Sequence, residues 1–443
     1  MNDSRERGIR AIACVLAAMV LVVLSAAMVN VALPTLAQRF AASPASVVRV
    51  VSAYQLGLVI ALLPSAALGE RFGLRAVFSA GLAWFSVGSA LCALAPSLVW
   101  LGLARFSQGI GGAAVMALGV ALIRASVEPS RLANAIAYNA LAVALSSAAA
   151  PTVGALLLST GSWTAMFALS AALGTAVFCA AMWLPRDRAT GGAIDVVSVA
   201  LNAAVFVAGF AFVELAGSSA VFAGAALCVC VASAWRLRDR ERRKERPMLP
   251  LDLLANEAFR WTVFASIACF AGQSAALVAL PFALRESVGG TVMGAALVLT
   301  PWPVSVAITA PIAARLSARW SSARLCAIGA GVLSIATGVL ALGAGTMSAR
   351  EAALAVAACG VGFGLFQVPN NRALLLSAPI ERSAAAGATQ ASARLTGQWT
   401  GSIAMSLLFA TQNAMDGARS GLVFSALATL LAALASARRS AIH

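Results

Sequence analysis

The sequence predicts an all-α integral membrane protein with fourteen transmembrane helices, and three observations lead to that class. Of the 443 residues, 61% are hydrophobic and only 11% charged, with a mean hydropathy of +0.90. A water-soluble domain carries about 25% charged residues, so this chain is too poor in charge to clothe a soluble globule of its length. The charges it has divide it into apolar runs of about 20 residues, the length a helix needs to cross a bilayer with its backbone groups satisfied internally. Basic residues also alternate between dense and sparse along successive loops, as the positive-inside rule requires.

Taken in order, the apolar runs fall at 11–33, 47–69, 76–96, 98–122, 133–158, 163–185, 195–215, 217–235, 260–284, 290–314, 325–346, 351–373, 384–411 and 419–437. The first follows Arg5, Arg7 and Arg10 as a secretory signal would. It outruns the roughly 7–15 apolar residues of a signal peptide and reaches Leu33-Pro34 without a small-residue cleavage pattern, so it reads as a retained helix. Loops on the N-terminal side carry Arg71, Arg75, Arg124, Arg131, Arg186, Arg188, Arg315, Arg319, Arg324, Arg372, Arg382, Arg438 and Arg439, whereas the other side has Arg39, Arg49, Arg285, Arg350 and Arg419. This bias predicts a multi-pass protein of a bacterial-type inner membrane with both termini cytoplasmic. The excess of 31 basic over 16 acidic residues is then a topology signal in contact with the lipid bilayer, and no nucleic-acid partner is implied.

Internal repetition organises the spans. Pro64-Ser65-Ala66-Ala67-Leu68-Gly69-Glu70-Arg71-Phe72-Gly73-Leu74-Arg75 ends the second, and Pro311-Ile312-Ala313-Ala314-Arg315-Leu316-Ser317-Ala318-Arg319 ends the tenth. Each places a proline inside a helix, small residues after it and a basic turn at the end. Two six-helix halves, spans 1–6 and 9–14, follow, with spans 7–8 inserted as a pair that keeps both halves in one orientation. The expected parts are a cytoplasmic N-terminus 1–10, an N-terminal bundle 11–185, an inserted hairpin 186–235, a basic cytoplasmic linker 236–259, a C-terminal bundle 260–437 and a tail 438–443. Alternating charges in the linker suggest a solvated helical extension near anionic headgroups.

The residues exclude most catalytic chemistry. The single histidine is His443, no carboxylate pair sits at helical spacing within a span, and no nucleotide-binding loop precedes a helix, so the chain is read as no enzyme, with no cofactor and no metal. The eight cysteines lie in apolar spans without a CxxC pair and read as small packing residues.

Several short elements resemble the major facilitator superfamily, and within it the fourteen-helix drug:proton antiporter branch. The turn quoted above is similar to the superfamily signature between helices 2 and 3, with Glu70 in place of the usual Asp and Ala66 where Gly is common. Its second copy has Ala318 at the acid position. Arg105-Phe106-Ser107-Gln108-Gly109-Ile110-Gly111 matches the family's R-x-x-Q-G-x-G element. Ala150-Pro151-Thr152-Val153-Gly154-Ala155 resembles the antiporter motif G-P-x-x-G-G, keeping Pro151 and Gly154. Val29-Asn30-Val31-Ala32-Leu33-Pro34 looks like the end of L-D-x-T-I-V-N-V-A-L-P, and Ser25 stands at its aspartate position. Leu299-Thr300-Pro301-Trp302-Pro303, Gly364 to Arg372 and Ala393 to Gln398 resemble the subgroup exporting quaternary-ammonium and viologen-like compounds. The resemblance implies a monomeric secondary efflux transporter that moves small amphipathic drugs or metabolites by alternating access, coupled to protons. Serine cannot titrate in the physiological range, so proton coupling comes from the family and not from Ser25. A proton-independent facilitator or uptake carrier, and a transporter-like sensor that moves nothing, stay open.

Candidate substrate-cavity residues are those whose polarity is expensive in lipid: Asn30, Gln55, Asn139, Gln273, Asn370, Gln390, Arg394 and Gln398, with Tyr54, Tyr138 and Trp302 as an amphipathic wall. Each could equally be an interhelical hydrogen-bonding group. Gating or coupling candidates are Glu70, Arg71, Arg75, Arg105, Gln108, Gly109, Pro151, Gly154 and Glu214. With Ser25 in place of an acid, neutral or anionic compounds suit the cavity better than dications.

Overall fold

The computed structural model describes residues 2–127, 129–185, 195–216, 219–244, 253–284, 291–317, 319–377 and 383–440. Among them the regular structure is entirely helical, the form in which a single segment can satisfy its backbone in lipid. The helices are α1 (Asn2–Arg39), α2 (Pro44–Phe72), α3 (Leu74–Ala93), α4 (Leu98–Ser126), α5 (Pro129–Ser159), α6 (Thr164–Ala180), α7 (Val196–Ala216), α8 (Ala220–Arg242), α9 (Glu257–Ala283), α10 (Val292–Leu299), α11 (Pro301–Leu316), α12 (Ser322–Leu342), α13 (Ala349–Leu376), α14 (Ser383–Thr411) and α15 (Ala414–Ser440). Taking α10 and α11 together, twelve of these are long and apolar enough to cross a membrane. The other two expected spans fall on α5, with its apolar stretch Leu145–Ser159, and on α14, whose 29 residues include Gln390, Ser392, Arg394, Thr396 and Gln398.

Two boundaries depart from the expected spans for visible reasons. The tenth span is broken at Thr300, because Pro301 and Pro303 have no N–H to give to the preceding turn and α11 starts afresh with Pro301 in its first turn. The twelfth starts earlier than its apolar run because Ser348 and Glu351 form a reciprocal capping box: the Glu351 amide donates to Ser348 Oγ at 3.3 Å and the Ser348 amide to Glu351 Oε2 at 2.8 Å. Ser348→Ala is expected to destabilise the protein by about 0.5–2 kcal/mol, read as a lowered melting temperature in detergent. The cysteine expectation needs correction at two positions. Cys14, Cys92, Cys269, Cys326 and Cys359 are buried, but Cys179 and Cys228 lie exposed on outer helix faces. Arg186, Arg188, Arg246, Arg285, Glu286, Ala318, Arg382 and His443 lie outside the described residues.

The chain forms two compact units. The first comprises Met1–Leu36 and Val50–Val199, the second Ala37–Arg49 and Ala200–His443. Each contains the same three-helix arrangement. In the first unit α4 crosses α2 so closely that a Cβ on Gly109 would lie 2.2 Å from the Tyr54 carbonyl oxygen, and it crosses α3 at Gly111, whose Cβ would lie 2.6 Å from the Gly81 oxygen. In the second, α13 crosses α11 at Gly360, 2.1 Å from the Trp302 oxygen, and crosses α12 at Gly362, 2.7 Å from the Gly329 oxygen. Hydroxyls repeat too: Ser89 Oγ donates to the Phe85 carbonyl at 2.7 Å and Thr337 Oγ1 to the Leu333 carbonyl at 2.9 Å. Small residues at helix crossings let backbones meet where lipid offers no hydrophobic drive for association. The register equates Tyr54 with Trp302 and Gly109 with Gly360, and it places Val356 and Cys359, both fully buried, at the counterparts of Arg105 and Gln108.

Candidate functional site

In the first unit the polar interior centres on Arg105, which has no solvent exposure. The Gly109 crossing draws α2 against α4 and so brings the Tyr54 ring over the guanidinium, with Cζ 4.0 Å from the ring centroid. The Phe167 ring of α6 lies 5.8 Å away. Arg105 Nη1 donates to Gln108 Oε1 at 2.6 Å, one turn along α4. Gln108 Nε2 in turn donates to Ser89 Oγ of α3 at 2.7 Å and to Ser25 Oγ of α1 at 3.3 Å. Among the described residues Arg105 Nε and Nη2 have no hydrogen-bond partner. Tyr54 is held by a long 3.5 Å hydrogen bond from its hydroxyl to the Val22 carbonyl. Thus Tyr54, Arg105, Gln108 and Gly109 come together from the candidates, and Ser89 and Phe167 join them. Sequence patterning could not single out those two among so many serines and phenylalanines, since only the helix crossing selects them.

The remaining first-unit candidates are dispersed. Asn30, Gln55 and Asn139 each keep a side-chain oxygen buried without a partner among the described residues. Tyr138 is 62% exposed, unlike Tyr54 at 1%. Pro151 and Gly154 are buried on α5, where a Cβ on Gly154 would come 3.2 Å from the Met28 carbonyl oxygen of α1, so this pair forms a close-packed seam. At the turn between α2 and α3, Glu70 and Arg71 are exposed, and the Arg71 guanidinium lies over the Phe72 ring at 5.2 Å. Gly73 adopts φ 98°, a conformation that favours glycine, and Arg75 Nη1 donates to the Leu184 carbonyl at 3.1 Å, tying the turn to the end of α6.

In the second unit the polar candidates lie on α9, α11, α13 and α14. Gln273 Oε1, Trp302 Nε1 and both side-chain polar atoms of Asn370 are buried without partners among the described residues, and so are Trp399 Nε1, Ser266 Oγ and Ser425 Oγ, which sequence reasoning missed. Gln390, Arg394 and Gln398 are partly buried along α14. Glu214 on α7 accepts an ion pair from Arg49 at the start of α2, Nε to Oε1 2.9 Å. The sequence names Glu214 as a coupling candidate but not this partner, because the two are far apart along the chain.

A helical membrane protein built from a repeated three-helix crossing, with polar groups left unpaired in its interior, defines a solute transporter more readily than an enzyme. The chain belongs to the Major Facilitator Superfamily, whose pattern it matches over residues 15–404, and it is a membrane transporter. It is 37% identical over 426 residues to the uncharacterized transporter YebQ of Escherichia coli, covering 94% of this chain and 92% of that protein. It is 26% identical over 392 residues to the multidrug resistance protein Stp of Mycobacterium tuberculosis, covering 86% of this chain and 72% of Stp. Its fold is similar to a crystal structure of a POT family transporter with bound 5-aminolevulinic acid, at TM-score 0.74 and 14% identity, over 96% of this chain and 95% of the other.

Proposed function

We propose that the chain exports small amphipathic drugs or metabolites across the inner membrane by alternating access, in exchange for protons. The observation that carries this reading is the set of buried polar atoms without partners on Arg105, Asn30, Gln55 and Asn139 in one unit and on Gln273, Trp302 and Asn370 in the other. Leaving a buried donor or acceptor unsatisfied costs about 1–3 kcal/mol each, and a fold retains such groups when a ligand completes them. An amphipathic molecule supplies an apolar body for the aromatic residues and a few polar atoms for these groups. The resemblance to multidrug resistance relatives supports export.

In this reading the six-helix bundles 11–185 and 260–437 rock about a monomeric core with both termini cytoplasmic, and 186–235 is an added hairpin. Gln390, Arg394, Gln398 and Tyr138 join the cavity wall in other stages of the cycle. Glu70, Arg71 and Arg75 latch the turn between α2 and α3, and the Pro151-Gly154 seam accommodates the bending. The Arg49–Glu214 pair is the coupling element: a proton on Glu214 releases Arg49, and loss of the proton restores the pair. Counterflow and net flux of a dye substrate in proteoliposomes, with and without an imposed pH gradient, test the whole reading. Wild-type flux is expected to accelerate with the gradient, and Glu214→Gln is expected to keep counterflow while losing that acceleration. Gradient-insensitive net flux by the wild type would leave facilitated diffusion in place of antiport.

A further inference from the structure

Resting on that transport reading, we infer that the transported molecule carries an anionic group, a carboxylate or sulfonate, and that Arg105 receives it. The guanidinium offers five N–H donors on three nitrogens, and the protein uses Nη1 alone, toward Gln108. Nε and Nη2, which lack partners, share one edge of the planar group, and their two parallel N–H bonds match the two oxygens of a carboxylate. The groups recorded against the guanidinium are neutral: the Tyr54 and Phe167 rings lie 4.0 and 5.8 Å from Cζ, and Gln108 accepts from Nη1 and donates on to Ser25 and Ser89. Among the described residues no ion pair reaches Arg105, so a fully buried positive charge stands without a counter-charge.

The fold itself does not require that charge. The second unit makes the same helix crossing at Gly360 and Gly362 with Val356 and Cys359, both fully buried, at the positions of Arg105 and Gln108. A cation that one copy of the architecture omits, and that the other buries with more than half of its donors unused, is retained for a ligand. Tyr54 packs over the guanidinium, held there by that contact and by one long hydrogen bond from its hydroxyl to the Val22 carbonyl.

Three dyes on one xanthene scaffold test the inference: one with a free carboxylate, its uncharged ester and a cationic analogue. Equilibrium binding to the detergent-purified full chain is measured by fluorescence anisotropy, and flux in proteoliposomes is measured in parallel. The wild type is expected to bind the carboxylate about tenfold or more tightly than the ester, and the cation most weakly. Ser25→Asp places a carboxylate on Gln108, the partner of Arg105, and is expected to abolish the preference and raise cation affinity. Arg105→Lys, which keeps the charge and loses the two-pronged edge, is expected to narrow the carboxylate preference and provides a second check should Ser25→Asp not fold. Ester or cation binding as tight as the carboxylate in the wild type, absence of carboxylate binding, or an unchanged order in folded Ser25→Asp overturns the anion site. Preferential carboxylate binding without any flux upholds the site and removes the transport reading instead.

Discussion

Replacing Arg105 with valine abolishes transport while leaving the purified protein folded, with a melting temperature within about 3 °C of wild type. The expectation follows from the balance of terms at this side chain. Holding an arginine in the middle of a membrane helix costs about 2.5–3.5 kcal/mol. Stacking against Tyr54 at 4.0 Å returns roughly 2 kcal/mol for a desolvated cation. The charged hydrogen bond to Gln108 at 2.6 Å returns about 1.5–3 kcal/mol. The two gains together come to about 3.5–5 kcal/mol and exceed that cost by no more than about 2.5 kcal/mol, and valine is the residue that the second unit carries at the equivalent place, Val356, with no exposure. In the variant Gln108 keeps its Nε2 bonds to Ser89 and Ser25, while its Oε1 loses the Arg105 donor at a cost of about 1–3 kcal/mol. Circular dichroism and thermal melts in detergent read the stability, and proteoliposome flux reads the activity. A melting temperature lowered by ten degrees or so would assign Arg105 to the framework and not to the ligand.

Gly109→Val and Gly360→Val are expected to remove folded protein altogether. The added atoms would enter space already occupied by the carbonyl oxygens of Tyr54 and Trp302, at 2.2 and 2.1 Å from the nearest added carbon. Backbone cannot rotate away as a flexible side chain can, so each substitution must push two helices apart and reaches or exceeds the upper end of the roughly 1–3 kcal/mol typical of overpacking. Gly102→Val and Gly331→Val are the controls, since nothing lies within 4 Å of a Cβ at either position. Fluorescence-detected size exclusion of the four variants separates the outcomes: a monodisperse peak for the controls and aggregate or no protein for the crossing variants. Monodisperse Gly109→Val protein would mean that α2 and α4 do not meet as described.

The parts of this molecule readable from sequence are those set by local chemistry. Apolar run length alone located the helices, because lipid forces each crossing segment to bond within itself. The turn after Pro64 and its copy after Pro311 exposed the repeat, because prolines, small residues and arginines are sparse enough in such a chain to be recognised in pairs. The break at Thr300 was hidden because its hydropathy does not falter; only the missing amides of Pro301 and Pro303 interrupt the helix. Arg105 and Gln108 stood out through their match to R-x-x-Q-G-x-G, but the choice of Tyr54, Ser25 and Ser89 as their neighbours depends on which helices cross at which glycine. The pairing of Tyr54 with Trp302 was likewise out of reach, since the equivalence lies in backbone geometry and the two side chains differ. Arg49 and Glu214 are joined by tertiary packing between distant segments, which no periodicity announces.

Flux of the carboxylate dye out of proteoliposomes, compared between wild type, Arg105→Val and protein-free vesicles, most directly tests transport through the buried arginine. Saturable flux in the wild type, with both other samples at the same low background, is the expected result. Equal flux in wild type and Arg105→Val, or wild-type flux no faster than that of empty vesicles, would contradict it.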